Sequence, residues 1–176
     1  MVVVRDEELA QKLGLIQNAV GAVSQPFDSY LLIRGIKTLA VRMNVQVANA
    51  EKIAEALQSS NAIKRLYYPG LPSAQGYEIH KKQAKNGGAM LSFELRDYYD
   101  VYKFFDSLKL ITLAVSLGGV ESLVCHPASM THASVPKEIR EEMGISERLI
   151  RLSVGIENHE DLTNDLLSAI EEARVE

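Results

Sequence analysis

Residues 148–170 read RLIRLSVGIENHEDLTNDLLSAI. The first nine, RLIRLSVGI, are a strand by composition and by alternation. Ile150, Leu152, Val154 and Ile156 share one face, expected to be the core side, and Arg151 projects from the other with Ser153 and Gly155 nearby. Asn158 is a good N-cap, with Asp161 three residues on in a relative of the capping box. Leu162, Leu166 and Ile170 then recur at helical spacing and mark the apolar face of a closing helix. A one-sided strand running into a one-sided helix predicts a sandwich of sheet and helices.

Moving outward, strand and helix patterns alternate. Residues 136–143 predict a helix with its proline in the first turn. Residues 111–115 are apolar, 117–120 form a turn, and 97–108 are helical. Residues 89–95 (AMLSFEL) predict an alternating strand and 77–84 a short helix. Residues 62–68 (AIKRLYY) predict a strand that Pro69-Gly70-Leu71-Pro72 ends. From Asp28 to about Ser59, apolar residues recur at steps of mostly three or four, through Leu32, Ile36, Leu39, Ala40, Met43, Val47, Ala50, Ala54 and Leu57. Thirty residues of helix would span roughly 45 Å, against a radius of gyration of about 16 Å for a compact domain of this length. Such a helix suits a spine between domains; a break near Gly35 or Asn44 is the alternative. Asp6 is expected to cap a helix through Leu9, Leu13 and Ile16, after a short apolar run, Val2–Val4, that reads as the last strand of something larger. Residues 21–26 are a loop.

The whole is an α/β (α+β) chain of 176 residues. With 47% hydrophobic and 24% charged residues it can bury a core. A net charge of −4 gives no basic footprint for nucleic acid. No apolar run approaches a membrane span, and the N-terminus is too short and too acidic for a signal peptide. One cysteine, Cys125, excludes an internal disulfide framework and fits a reducing cytoplasm.

Two features could hold chemistry. Arg151 is a planar donor fork suited to a carboxylate, or else an arginine paired with a helix glutamate. In residues 116–122 (SLGGVES), two adjacent glycines allow close backbone approach to a ligand or a plain tight turn. The segment matches no phosphate-binding glycine motif. His126 and His132, six apart, fit no zinc spacing, and no metal site is expected. Cys125 and His126 are neighbours on extended chain and point apart, which argues against a catalytic dyad. His80 and His159 read as solvated. No set of these residues is a self-sufficient active site.

Residues 116–136, SLGGVESLVCHPASMTHASVP, resemble the signature region of the PLP (pyridoxal-phosphate) enzymes of Cys/Met metabolism, among them cystathionine γ-synthase, cystathionine lyases and methionine γ-lyase. The likeness continues through Gly144-Ile145, residues 149–157 (LIRLSVGIE) and Asp161-Leu162. It extends upstream through Gln17-Asn18, Pro26-Phe27-Asp28, residues 34–39 (RGIKTL) and residues 67–71 (YYPGL).

The resemblance implies the C-terminal part of a fold-type I subunit, with a small, mostly antiparallel sheet covered by helices. Residues 1–27 would be a remnant of the large PLP domain and its connecting helix, 28–59 the interdomain helix, and 60–176 the small domain. It implies that Arg151 grips the substrate α-carboxylate, that Ser116 lies beside it, positioned by the glycine turn, and that Thr131 helps shape the pocket. Val115 stands where many relatives have glutamate or tyrosine. An apolar residue there cannot pair with a distal ammonium, which points to methionine, homocysteine or an O-acylhomoserine rather than cystathionine. The family's Schiff-base lysine has no counterpart among these residues, so the 176 residues alone are expected to bind little or no PLP and to be inactive. The implied partners are a sulfur amino acid and copies of the same chain, since family members are commonly tetramers. A non-catalytic oligomerisation or regulatory module on the same fold is the alternative.

Overall fold

The computed structural model describes residues 2–175. In chain order the elements are α1 (Glu7–Val20), α2 (Pro26–Ile36), α3 (Leu39–Gln58), β1 (Ile63–Tyr67), α4 (Tyr77–Gln83), β2 (Met90–Leu95), α5 (Val101–Ser107), β3 (Thr112–Leu113), β4 (Leu123–Cys125), α6 (Lys137–Glu142), β5 (Leu149–Ser153) and α7 (His159–Glu172). The chain divides into two compact units, Met1–Ala40 and Val41–Glu176.

In the first unit the Asp6 carboxylate accepts from the Leu9 N–H at 2.8 Å and starts α1. Gly21, at φ 73°, ends it in the left-handed conformation. Val2–Val4 form no strand; three residues without a neighbouring strand gain no ladder of hydrogen bonds. Neither α1 nor α2 has a buried residue. The stripe read over residues 28–59 is helical to Gln58 except at Lys37 and Thr38, where a turn divides α2 from α3. There the Thr38 N–H bonds to the Gly35 carbonyl, three residues back, at 3.3 Å.

The second unit is a five-stranded sheet of order β1-β2-β5-β4-β3. Its pairings are antiparallel except β3 with β4, which run parallel. One face of the sheet offers Leu91, Phe93, Leu95, Val124, Ile150, Leu152 and Val154. They join a single core cluster with Ala50, Ile53, Ala54 and Leu57 of α3, Val101, Phe104 and Phe105 of α5, and Leu162, Leu166, Ala169 and Ile170 of α7. Phe93 and Phe104 meet edge to face at 6.0 Å. Each fully buried Leu or Phe of this layer contributes about 1.5–3 kcal/mol, so the helix-on-sheet layer holds the unit together. The Asp100 side chain caps α5 at Tyr102 and Lys103, which starts that helix after the tyrosine pair 98–99 rather than at Asp97. Asn158 caps α7 through the Glu160 N–H.

Two further details differ from the sequence reading. Ile156, expected in the core, is 42% exposed. β5 ends at Ser153, so the alternation that would bury Ile156 stops short of it. β4 is a buried strand of only three residues, too short to show a period.

Candidate functional site

The sheet face opposite the core presents one cross-strand row. Tyr67 pairs with Ser92, Ser92 with Arg151, and Arg151 with Cys125. Directly opposed residues project to the same side of a sheet, so these four side chains stand in line across β1, β2, β5 and β4. A cavity of about 670 Å³ opens beside Arg151, at the middle of β5, and Tyr67, Tyr77, Met90 and Ser92 are among its lining residues.

Arg151 is half-buried and has no carboxylate partner among the described residues. Other arginines are committed. Arg140 pairs with Glu147, Arg148 bonds the Arg96, Tyr99 and Asp97 carbonyls, and Arg96 bonds the Asn61 carbonyl. Arg65, in the same cavity, has its pKa raised first by the Tyr67 hydroxyl and then by Glu94. The Tyr67 hydroxyl donates to Glu94 at 3.0 Å. What faces Arg151 is the thiol of Cys125, 2% exposed. Burial pushes that thiol pKa up, and the adjacent guanidinium draws it partly back. A thiol held protonated leaves the positive charge of Arg151 uncompensated.

Val115 and Ser116 lie on exposed chain between β3 and the glycine turn, with Val115 62% exposed. Gly118, at φ 79°, makes a turn that other residues resist. Its N–H donates to Ser153 Oγ at 2.9 Å, and Ser153 is the next residue after Arg151 on the same face. Gln46 of α3, 1% exposed, donates through Nε2 to the Gly119 and Val154 carbonyls at 2.6 and 3.1 Å. Asn49 donates through Nδ2 to the Gly155 and Glu157 carbonyls at 3.1 and 2.8 Å. Ser122 Oγ donates to Glu157 at 2.9 Å and accepts from the Gly155 N–H at 2.8 Å. The turn is thus laced to the end of β5.

Thr131 is exposed and bonds its neighbour, Thr131 Oγ1 to His132 Nδ1, at 2.8 Å. Its loop is held from beneath. His126, buried, donates through Nε2 to the Glu147 carbonyl at 2.9 Å, and its Nδ1 bonds Ser129 at 2.7 Å. Arg140 reaches the Ala128 carbonyl at 3.0 Å.

Of the four residues singled out from sequence, Arg151 lines the cavity, the loop of Val115 and Ser116 is tied to the strand of Arg151, and Thr131 makes no bond to any of the other three. Sequence reading missed Gln46, Asn49, Tyr67, Ser92 and Glu157. Gln46 and Asn49 carried a signal, since they fall on the helical stripe with Ala50, Ile53 and Leu57, where polar residues are out of place. Among the described residues no group of three or more His, Cys, Asp or Glu could hold a metal.

Fold and geometry together define a mixed α/β sandwich with an arginine and a ligand-sized cavity on the open face of its sheet. A family model for Cys/Met metabolism PLP-dependent enzymes matches residues 1–171, and the chain belongs to that family. It is 56% identical over 171 residues to a cystathionine beta-lyase of Lactococcus lactis subsp. cremoris, covering 97% of this chain and 45% of that protein. It is 48% identical over 167 residues to cystathionine gamma-synthase of Escherichia coli, covering 94% and 43%. Among solved structures, cystathionine gamma-lyase from Lactobacillus plantarum complexed with L-serine superposes with a TM-score of 0.91 at 44% identity, covering 97% of this chain and 45% of that one. The chain therefore spans about half the length of the relatives it matches.

The family implies PLP, a cofactor held through a Schiff-base lysine. All ten lysines are exposed, and none lines the Arg151 cavity. A Schiff-base lysine needs a desolvated position beside the substrate site, and no lysine here has one. These residues do not fit the cofactor-holding role.

Proposed function

We propose that this chain is the substrate-carboxylate-binding, C-terminal part of a PLP-dependent carbon–sulfur lyase or synthase of transsulfuration, acting on a sulfur amino acid. One observation carries the reading: Arg151 is a half-buried guanidinium without an anionic partner among the described residues, open to a cavity of about 670 Å³. A charge in that position costs solvation unless an anion joins it, and a carboxylate matches its fork with two parallel hydrogen bonds. In this reading Arg151 fixes the α-carboxylate, and Ser116, Val115 and Thr131, which do not line the 670 Å³ cavity, flank the substrate in the full-length enzyme. Elimination or replacement at the sulfur-bearing side chain belongs to the full-length enzyme, and PLP is held there by residues other than these. The 176 residues alone bind an amino acid by its carboxylate and turn over nothing.

Val115 bears on the substrate. It offers a distal ammonium no counter-charge, and none of the residues lining the Arg151 cavity is acidic. The reading therefore favours methionine, homocysteine or an O-acylhomoserine over cystathionine.

The test is steady-state kinetics of the full-length enzyme. Losing a bidentate, charge-assisted pair of about 3 kcal/mol lowers kcat/KM roughly 100-fold in Arg151→Ala. Arg151→Lys, which keeps the charge and loses the fork, recovers part of that. An Arg151→Ala enzyme within threefold of wild type refutes the proposal.

A further inference from the structure

Gln46 and Asn49 are three residues apart on α3 and so share one helix face. Both are buried polar side chains inside an otherwise apolar layer. Their four hydrogen bonds go to backbone carbonyls of two chain segments distant in sequence: Gly119 in the glycine turn, and Val154, Gly155 and Glu157 at the exit of β5. The segments stand in matched positions. Gly119 follows Ser116 by three residues, and Val154 follows Arg151 by three. The Gln46 amide spans them, with one N–H on each. From the other direction the Gly118 N–H closes on Ser153 Oγ, and the Ile156 N–H donates to the Val120 carbonyl at 2.8 Å.

We infer that Gln46, with Asn49 in support, is a positioning residue that sets the distance between the Ser116 loop and the Arg151 strand, so that hydroxyl and guanidinium converge on one carboxylate. The inference rests on the carboxylate-site reading above. Chemistry explains the residue type. Two carbonyl oxygens from separate segments need two diverging donors on one rigid head, and a primary amide provides them. A glutamate would present acceptors to acceptors. A methionine of similar length would leave both carbonyls buried and unpaired, and the turn would lose its tie to the helix while the hydrophobic layer stayed filled. Neither amide reaches the ligand, so the role is indirect.

The 176-residue chain is tested by NMR, with L-methionine as the probe. Gln46→Met is expected to speed hydrogen exchange at the Gly118 N–H by about tenfold or more while Ile53 and Leu57, on the same helix, keep their rates. That pattern separates local loosening from lost stability. The same variant is expected to weaken L-methionine binding about fivefold, read at the Arg151 Nε–H resonance. Unchanged exchange at Gly118 overturns the inference, as does faster exchange with unchanged affinity. Arg151→Ala is titrated alongside. If it binds L-methionine as wild type does, the carboxylate reading fails and the inference falls with it. If it abolishes binding while Gln46→Met has no effect, the inference alone fails. Should Gln46→Met not fold, Ser153→Ala, which removes only the acceptor of the Gly118 N–H, is read by its L-methionine affinity in the same way.

Discussion

Gly155 lies just beyond β5 and Gly119 in the glycine turn, and replacing each with alanine should have very different consequences. A Cβ built on Gly155 falls onto the Val120 carbonyl oxygen and the Glu157 carboxylate, and lies 2.6 Å from the Glu121 carbonyl carbon. Two of these three obstacles are backbone. Ordinary contact begins near 3.4 Å, so turn and strand must separate by at least about 0.8 Å. The Ile156 N–H to Val120 bond and the Gly155 N–H to Ser122 Oγ bond are both 2.8 Å, and a shift of that size takes each past hydrogen-bond range. Each buried group left unpaired costs about 1–3 kcal/mol, and the stiffer unfolded chain returns about 0.4–1 kcal/mol. The net expectation for Gly155→Ala is a loss of about 3 kcal/mol. A Cβ on Gly119 meets only the Glu121 side chain, which is exposed and swings into solvent. Gly119→Ala should stay within about 0.5 kcal/mol of wild type. Urea denaturation reads both. With a slope of about 1.5–2 kcal/mol per M, the Gly155→Ala midpoint falls by roughly 1.5–2 M and the Gly119→Ala midpoint hardly moves. Equal midpoints for the two variants would refute the argument, because they would mean that the turn yields as a whole and no close approach constrains it.

Other expectations follow from single groups. Tyr68 is buried, donates to the Gly88 carbonyl at 3.0 Å, and has its pKa pushed up to about 12, first by burial and then by Glu51. The folded chain holds that proton more tightly than the unfolded one, so the contribution is complete below about pH 10 and is lost as pH rises towards 12. The stability difference between wild type and Tyr68→Phe should therefore shrink across that window, and a flat difference would contradict the assignment. The purified 176-residue chain mixed with PLP should show no internal-aldimine absorption band, because every lysine is exposed; a stable band removed by substitution of one lysine would overturn this. In the full-length enzyme, kcat/KM should be higher for homocysteine than for cystathionine, and a clear preference for cystathionine refutes the reading of Val115.

The fold was legible where a period was long enough to be seen. Leu162, Leu166 and Ile170 announced α7, and Ile150, Leu152 and Val154 announced the buried face of β5. The parity of that strand also put Arg151 on the opposite face. β4 was not legible, because Leu123, Val124 and Cys125 are all buried and three apolar residues have no alternation to display. The division of the 28–59 stripe at Lys37 and Thr38 falls beside Gly35, where a break was the alternative, but periodicity could not choose between the two readings. Apolar spacing continues through the turn from Ile36 to Leu39, so periodicity cannot report that the hydrogen-bond ladder has stopped.

Of the candidate site, Arg151 and the glycine turn were legible in the sequence, and the reason the rest was not is physical. A guanidinium on a strand is conspicuous in one dimension, whereas the absence of its counter-ion exists only in three. The alternative for Arg151 was a glutamate partner, and Glu147 and Glu157 are the glutamates nearest to it in sequence. In the fold Glu147 takes Arg140, and Glu157 takes Ser122. The positioning groups were obscured by a different ambiguity. Gln46 and Asn49 sit on an amphipathic helix, where a polar residue is ordinarily explained by solvent. Their spacing to Ala50, Ile53 and Leu57 places them on the buried face instead, and a polar group there must find a partner or cost stability. The partners they find are the carbonyls of the glycine turn and of the chain just beyond Arg151. A polar residue in register with a core stripe therefore marks, from sequence, a helix that must hold some irregular backbone in place, and in this chain that backbone links the proposed carboxylate anchor to its neighbouring hydroxyl.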